Sequence, residues 1–488
     1  MKDEIRNRQK LDNNLRIGWG MGDITPEGPV LLWGQYYERI SKYVQSPLKA
    51  TAFAVELIDA DGTKEQAIIV SMDLLYISKT LQESLRDKVK DLIPDFDTKK
   101  LFMNATHTHS GPDPDVNEVT RNTILKGAAE AVVSAWQNRK TAGISRALGY
   151  AVIGHNRRVQ YADGKTEMYG STAREDFIGM EGGSNPGVDM LFCWDTDHKL
   201  TGIIMDVWCP AQVTEAKYYV SSDYWGEVRK QVAERFSPDV FVLPLCGAAG
   251  DLSPRDLPRG YKSGEPNMWD LPGIIEIGKR LIHTVDFAYR QAKKNIQTKV
   301  VFKHLVKKID LPVRRFSEAE YREALAFINE VYSREPKDPA SPQTVWNRFL
   351  QEIRDNEKSM EFGPWDNKNT DFGIVRKKER LVEHYRKQDS IPFYTMELHV
   401  IQLGDVVFVT NPFELFSDFG FQIQGRSKAK QTFVVQLCCD QCGYLATQRA
   451  IKGGGYSAMV DHVGPEGGKI LVDETVRLIN QNMESIKI

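Results

Sequence analysis

The first half of the chain alternates short apolar runs with amphipathic stretches. Residues 66–76 have a β-branched centre and predict a buried strand, and residues 101–106 predict a second one. Apolar residues at helical spacing over 81–92 and an Ala-rich segment over 122–137 predict helices. A further strand over 239–245 runs into a glycine-rich turn. This alternation of predicted strands and helices predicts an α/β fold with a mixed sheet core and flanking helices.

The pattern changes between residues 305 and 390, where charges are frequent and β-branched runs are few. Ser317 and Glu320 have the spacing of a capping box ahead of a helix that is predicted to reach Tyr332. Residues 343–359 predict a second helix. We interpret 305–390 as a helical insertion or subdomain and expect it to border a cleft.

Strand patterns return after the insertion. Residues 394–402 and 406–410 flank a Leu-Gly-Asp turn and predict a hairpin, and 432–437 predict a further strand. The chain is therefore predicted to form one domain from residues 1–304 and 391–488.

Composition excludes several classes of protein. The 488 residues are 41% hydrophobic and 27% charged with a net charge of -2, which is ordinary for a globular protein and predicts no nucleic-acid partner. No window approaches the roughly 18 apolar residues of a membrane span. Residues 1–15 are polar, without the apolar core of a signal peptide. We expect a cytoplasmic protein as written, or a periplasmic or secreted one if a signal peptide has been removed.

Six cysteines in so long a chain do not indicate a disulfide framework. Cys439 and Cys442 form a Cys-x-x-Cys, but without a second pair a zinc ribbon is not expected. A redox role lacks the thioredoxin-like βαβ context that this motif requires.

His107 and His109 directly follow the strand predicted over 101–106. Residues two apart on a strand share a face, so both imidazoles can point into one cleft, as in a metal site. The alternative is one surface histidine and one hydrogen-bonded core histidine. Other strand ends also deliver polar groups in glycine-containing loops, where α/β proteins assemble sites. These groups are Cys209, Ser253, Glu414, Tyr444 and Tyr456.

Taken together, these segments resemble the catalytic domain of the neutral/alkaline (non-lysosomal) ceramidase family, whose members are zinc-dependent amidases. The matching segments are Gly22 to Pro26, Thr106 to Pro112, Asn156-Arg157, Gly250 to Pro254, Pro412 to Glu414, and Tyr444 with Tyr456. They run in family order from about Gly18 to Tyr456, and residues 305–390 contribute little. We expect the family's C-terminal β-sandwich domain to be absent.

The resemblance implies a zinc ion (Zn²⁺) bound by His107, Glu414 and Tyr444. It also implies that His109, Arg157 and Tyr456 orient the scissile group and stabilise the oxyanion, and that Ser253 lies at a position linked to catalysis. Zinc accepts imidazole and carboxylate ligands, acidifies water and polarises a carbonyl.

The chain departs from the family at Cys209, where the family has its second zinc histidine. A thiolate is a good zinc ligand, although ionised Cys, Glu and Tyr ligands together would offset the charge of the ion. Cys209 is predicted to be a metal ligand; the alternatives are a nucleophile or a buried small hydrophobe.

Each of the other candidate residues also has an interpretation in which it has no role in a site. Glu414 could be a solvated loop charge, and Ser253 could cap a helix. Arg157 could pair with a surface acid. Tyr444 could be a packed aromatic residue, and the glycines before Tyr456 predict a mobile loop. The remaining histidines have no comparable context and are interpreted as ordinary: His155, His198, His283, His304, His384, His399 and His462.

The sequence therefore predicts a zinc-dependent hydrolase in which metal-activated water cleaves the amide bond of a small-molecule or lipid-like N-acyl substrate. Other hypotheses are an esterase or amidase acting on a polar or glycan-derived substrate, a Cys209-dependent hydrolase, and a non-catalytic binding protein of the same fold.

Overall fold

The computed structural model describes residues 15–58, 62–260, 268–459 and 461–484. Residues 1–14, on which the expectation about a signal peptide depends, lie outside the described residues. Across the described ranges, no helix combines the length and apolar character that crossing a bilayer requires.

Three mixed sheets form the core of the fold. The first has the spatial order Leu101–Ala105, Lys64–Met72, Lys49–Ile58, Arg16–Asp23 and Lys140–Thr141. The second has the order Phe241–Cys246, Leu200–Val207, Gly187–Trp194 and Gly143–Tyr150. The third has the order Phe302–Pro312, Phe393–Leu403, Val406–Thr410 and Gln431–Val435. In each sheet one pair of neighbouring strands is parallel and the other pairs are antiparallel.

In the described residues, three short strand pairs and one small three-stranded sheet lie outside the three main sheets. The pairs join Leu31–Leu32 to Arg39–Ile40, His155–Asn156 to Leu252–Ser253, and Glu414–Leu415 to Tyr444–Leu445. Arg158–Tyr161 lies between Thr166–Met168 and Phe177–Met180.

The three sheets turn their inner faces toward a single apolar core. Phe53 of the first sheet, Leu191 of the second and Phe408 of the third are all buried in this cluster. Two helices cover the outer face of each sheet, because a sheet that is apolar on both faces must be covered on both. The covering pairs are Lys79–Leu92 with Glu118–Gln137, Tyr224–Arg235 with Asp270–Ala292, and Ser417–Arg426 with Pro465–Glu484. The predicted α/β class is confirmed.

The helices begin where the sequence supplies capping side chains. Ser78 accepts a hydrogen bond from the backbone N–H of Leu81 at the start of Lys79–Leu92. Ser317 and Glu320 form the predicted reciprocal capping box. A short helix, Gln448–Gly453, and two 3₁₀ turns, Thr98–Lys100 and Tyr456–Ala458, complete the helical elements of the described residues.

The helical insertion connects two antiparallel strands of the third sheet. Its helices are Glu318–Ser333, Val345–Ser359 and Asp371–Lys387, and they lie between strands Phe302–Pro312 and Phe393–Leu403. The first of these strands includes residue 305, so the helical part begins later than the sequence indicated. This strand lies at the edge of its sheet and carries exposed charges at its centre, which hides the strand pattern.

Candidate functional site

The site lies where the carboxyl ends of the three parallel strand pairs meet. These pairs are Lys64–Met72 with Leu101–Ala105, Leu200–Val207 with Phe241–Cys246, and Val406–Thr410 with Gln431–Val435. The loops that follow the strands are joined by backbone hydrogen bonds. The N–H of Ala211 donates to Thr106 O at 3.2 Å, and the N–H of Gln436 donates to Cys246 O at 2.9 Å. Loops from all three sheets therefore converge at one place.

His107 lies in one of these loops, and a backbone carbonyl fixes the orientation of its ring. Its Nδ1 lies 2.8 Å from the carbonyl oxygen of Leu75. Because a carbonyl only accepts, Nδ1 carries a proton, and Nε2 is turned toward the other side of the ring. Nε2 lies 3.5 Å from a carboxylate oxygen of Glu414. His107 also has φ +65, a conformation that is rare for residues other than glycine and is concentrated at functional sites.

Glu414 is placed by a short parallel strand pair, in which it lies opposite Tyr444. A Cβ atom added to Gly250 would lie 2.3 Å from the carbonyl oxygen of Glu414, so only glycine allows the two loops to approach this closely. Burial pushes the pKa of Glu414 upward, but His107 and Arg157 more than offset it and hold the pKa below its ordinary value. Glu414 is therefore an ionised, partly buried carboxylate.

The guanidinium of Arg157 is held at the site by four hydrogen bonds. Its Nη2 donates to the carbonyl oxygen of Gly250 at 3.0 Å and to the hydroxyl of Tyr444 at 3.3 Å. Its Nη1 donates to the hydroxyl of Tyr169 at 3.2 Å and to Oε1 of Gln212 at 3.3 Å. Burial works against the charge, but Tyr169 and Tyr444 help to raise the pKa of the guanidinium above its ordinary value. Arg157 is thus a positioned, permanent cation rather than part of a surface ion pair.

Asp251 connects two of the predicted motifs. Asn156 Nδ2 donates to its carboxylate at 2.8 Å, and the N–H and hydroxyl of Ser417 donate to it at 2.8 and 2.9 Å. The N–H of Arg157 donates to its carbonyl oxygen at 2.9 Å. Asp251 lies in the Gly-Asp-x-Ser-Pro segment, but no role was predicted for it from the sequence.

Ser253 lies next to this network without joining the side chains of the site. It is fully buried on a short strand opposite His155, and its hydroxyl accepts a hydrogen bond from the N–H of Arg255 at 3.2 Å. This is a local turn and not a helix cap, because no helix begins at residues 254–260.

His109 is close to His107, with ring centres 4.9 Å apart and planes nearly perpendicular. It is only 7% exposed, and neither ring nitrogen has a hydrogen-bond partner among the described residues. Burial, together with His107 and Lys368, lowers the pKa of His109 well below its ordinary value, so the ring is neutral. The backbone of Gly34 packs on the ring, since a Cβ there would lie 2.5 Å from Nδ1. Buried polar atoms without partners are rare, and a water, an ion or a ligand can supply the missing hydrogen bonds.

Tyr456 closes the site from another side. Its ring centre lies 5.9 Å from that of Tyr444 and 6.0 Å from that of Tyr36. The amino groups of Lys377 and Lys368 approach its ring at 3.9 and 4.7 Å from the centre. The loop that was expected to be mobile therefore holds a ring packed between other side chains.

Cys209 is placed differently from the other predicted ligands. Its thiol is 1% exposed and lies 3.4 Å from the carbonyl oxygen of Ile153. Among the described residues, its sulfur does not lie within 4.8 Å of the donor atoms of both His107 and Glu414. Burial raises the pKa of the thiol well above its ordinary value, which disfavours the thiolate. This geometry matches the buried small hydrophobe, and ligation by Cys209 stays a prediction.

The residues that remain fit a divalent ion such as zinc. Zinc bonds of about 2 Å at tetrahedral angles separate two donor atoms by about 3.3 Å, close to the 3.5 Å between His107 and Glu414. The hydrogen bond to Leu75 O supplies the outer partner that metal-bound histidines require. The hydroxyl of Tyr444 adds a third oxygen or nitrogen donor beside them.

A second group of potential ligands was missed. Donor atoms of Glu397, His399 and Cys439 all lie within 4.8 Å of one another. Glu397 and His399 are two apart on a strand, the same signal that selected His107 and His109. However, His399 Nε2 lies 2.7 Å from Glu397 and its Nδ1 lies 2.8 Å from a ring nitrogen of His304, while Arg86 pairs with Glu397. These donors are already engaged, so we consider this group the weaker metal site.

Two comparisons relate the chain to neutral ceramidases. The neutral ceramidase of Pseudomonas aeruginosa is 24% identical over 219 residues, which cover 43% of this chain and 32% of the relative. The crystal structure of neutral ceramidase from the same organism superimposes with a TM-score of 0.67 at 18% identity, covering 96% of this chain and 75% of the other. A structure described as ceramidase complexed with C2 matches with the same TM-score at 17% identity, covering 96% and 76%. No protein-family model matches the chain.

The sequence match spans about a third of the length of the curated relative. At identities below 25%, the structural matches establish the fold. The resemblance inferred from the sequence is confirmed: the chain is neutral ceramidase-like in sequence and in fold.

Proposed function

We propose that this protein is a zinc-dependent hydrolase of the neutral ceramidase type that cleaves the amide bond of an N-acyl substrate. The observation that carries the proposal is the grouping of His107, Glu414, Tyr444 and Arg157 at converging strand ends of a neutral ceramidase-like fold. His107, Glu414 and Tyr444 would hold the ion, which when bound would supply Lewis-acid polarisation of the carbonyl and acidification of water.

The chain's own residues then have separable roles. Arg157 keeps its charge beside Glu414, with Nη2 3.9 Å from a carboxylate oxygen, and can donate to an oxygen that gains negative charge. His109 is neutral with both nitrogens free, so one nitrogen can accept a proton and later return it to the leaving amine. Tyr456 borders the same space and can donate through its hydroxyl, which burial keeps protonated by raising its pKa.

The Cys209-dependent alternative has less support. A nucleophilic cysteine needs an accessible thiolate, whereas this thiol is buried and its pKa is raised. The esterase alternative uses the same groups and differs only in the leaving atom.

The test is hydrolysis of a short-chain ceramide and of simple N-acyl amines and esters by the full chain. The wild type is compared with His107→Ala, Glu414→Gln and Arg157→Lys, with His283→Ala on an exposed helix position as the control. We expect amide turnover that a chelator abolishes and zinc restores, lost in the site variants and kept in His283→Ala. Absence of turnover in the zinc-loaded wild type would favour a binding protein. Turnover that survives complete removal of metal would reject the zinc dependence.

A further inference from the structure

Two lysine amino groups lie over the ring of Tyr456. Nζ of Lys377 lies 3.9 Å from the ring centre and Nζ of Lys368 lies 4.7 Å from it. Lys368 also lies 5.9 Å from the ring centre of Tyr36, and Lys377 is only 5% exposed. Both lysines come from the helical insertion, so the insertion brings positive charge to the candidate site.

Neither amino group has a carboxylate partner. In the described part of the chain, no carboxylate oxygen lies within 4.0 Å of either Nζ. Asp366 and Glu215 act on Lys368 from farther away. Each accepts at one oxygen, from Tyr36 N at 3.4 Å and from Gln212 at 3.3 Å, and has a second buried oxygen without a hydrogen-bond partner among the described residues. Lys377 is buried and Lys368 is partly buried, so placing both positive charges here costs free energy that a bound anion would offset.

The lysine pair is adjacent to the proposed reaction centre. The rings of Tyr456 and Tyr444 lie 5.9 Å apart, and the hydroxyl of Tyr444 is 3.3 Å from Arg157. One aromatic ring therefore separates the lysines from the groups that would act on the amide. An anionic group on a substrate that occupies the centre would meet the amino groups if it reaches past the ring of Tyr456.

We propose that Lys368 and Lys377 bind an anionic group, a carboxylate or a phosphate, carried by the amide substrate. This inference rests on the proposed function and narrows its substrate class to anionic N-acyl compounds. The head group of ceramide is uncharged and would leave both amino groups without a partner.

The two amino groups differ in how firmly they hold their charge. Burial works against the charge of Lys368, but Asp366 and Glu215 raise its pKa above the ordinary value. Burial, assisted by Arg380, lowers the pKa of Lys377 to about 7. A bound anion favours the charged form of such a lysine. Lys368 thus offers a permanent charge, and Lys377 a charge that the ligand reinforces.

Matched pairs of substrates test this inference with the zinc-loaded full chain. N-octanoylglycine is compared with N-octanoylglycinamide, and N-octanoyl-O-phosphoethanolamine with N-octanoylethanolamine. We expect kcat/KM to be about tenfold or more higher for the anionic member of at least one pair, since a hydrogen bond to a charged group has roughly that value. The pair with the larger ratio distinguishes carboxylate from phosphate. Lys368→Met and Lys377→Met should lower kcat/KM for the anionic member about tenfold and leave the neutral member within about twofold.

Lys378→Met is the matched control. Lys378 neighbours Lys377 on the same helix, but its Nζ pairs with Glu323 at 3.4 Å, so its loss should leave the preference intact. Equal hydrolysis of neutral and anionic members would overturn this inference and leave the hydrolase standing. If no amide is cleaved, calorimetric titration with N-octanoylglycine decides: binding that Lys368→Met weakens supports the inference while the hydrolase fails, and absence of binding overturns it.

Discussion

Nε2 of His107 lies 3.5 Å from a carboxylate oxygen of Glu414, although the two residues follow strands of different sheets. The carbonyl oxygen of Leu75 holds the other nitrogen of the ring, so Nε2 faces the carboxylate. A proton or a metal cation between the two groups would be stabilised by both of them, and the separation fits a shared zinc ion. Metal analysis distinguishes a shared ion from a shared proton.

The zinc content of the purified protein should depend on both His107 and Glu414. We expect about one zinc per purified chain, lost in His107→Ala and in Glu414→Ala, because removing one of three or four ligands weakens a zinc site severely. Elemental analysis measures this directly. Cys209→Ala should keep its zinc, since the thiol faces Ile153 O. Loss of zinc in Cys209→Ala would instead return that residue to the ligand set.

The same measurement separates the two candidate metal sites. Cys439→Ala removes a donor from the group formed with Glu397 and His399 without touching His107. We expect unchanged zinc content, because the remaining donors of that group are engaged by Arg86 and His304. Zinc that is lost in Cys439→Ala and retained in His107→Ala would reverse the assignment.

Gly250 should be intolerant of any side chain. In Gly250→Ala the added Cβ would lie 2.3 Å from the carbonyl oxygen of Glu414, and because that contact is backbone, the loop carrying the carboxylate must shift. We expect a fall in zinc affinity of about tenfold or more and a loss of about 1–3 kcal/mol in the free energy of unfolding. Chelator competition and denaturant unfolding measure the two effects.

Gly425→Ala is the control for that variant. Gly425 lies in the helix Ser417–Arg426, and a Cβ there would meet nothing within 4 Å. Alanine should therefore leave zinc affinity unchanged and raise the free energy of unfolding by about 0.5–1 kcal/mol. Equal behaviour of the two alanine variants would contradict the packing argument.

The sequence predicted the parts of this protein that depend on local patterns. Strand 101–105 has an apolar run of its own, and the capping box of Ser317 and Glu320 is a four-residue signal. The candidate ligand His107 stood out because it directly follows a predicted strand, and Glu414 because it lies in the segment after another predicted strand.

The remainder depends on contacts between distant segments, which no local pattern encodes. Lys377 has an ordinary place in an amphipathic helix, and only the packing of that helix reveals that its amino group lies on Tyr456. Cys209 has a motif position suited to a ligand, but its rotamer turns the sulfur to a backbone carbonyl. Charged edge strands such as Phe302–Pro312 show no alternating apolar pattern, because one strand edge and much of one face contact water.

Arg157 should resist conservative replacement. Arg157→Lys keeps the charge but cannot reproduce four hydrogen bonds, to Gly250, Tyr444, Tyr169 and Gln212. We expect kcat for amide hydrolysis to fall about 10²–10³-fold, the range for loss of an oxyanion donor, with zinc content preserved. Steady-state kinetics on zinc-quantified protein measure the effect. An unchanged kcat would remove Arg157 from the reaction.

The lowered pKa of Lys377 predicts how the free energy of unfolding depends on pH. Burial is the main cause that lowers its pKa from 10.5 to about 7, and Arg380 and Lys368 act in the same direction, while Asp461 and Glu414 oppose them. Below pH 7 the lysine is charged in both the folded and the unfolded state, and the folded state bears the full cost of burying that charge. As the pH rises from about 7 to about 10, the unfolded state binds more protons than the folded state, so the cost disappears.

Lys377→Met should therefore stabilise the protein most at low pH. We expect a gain in the free energy of unfolding of roughly 2–4 kcal/mol at about pH 6 that declines toward zero near pH 10, since each unit of pKa shift is worth about 1.4 kcal/mol. Denaturant titrations over this range measure the gain, and repeating them in an Asp461→Asn background removes the carboxyl whose own pKa is raised to about 7. A gain that grows with pH would show that Lys377 is paired rather than strained.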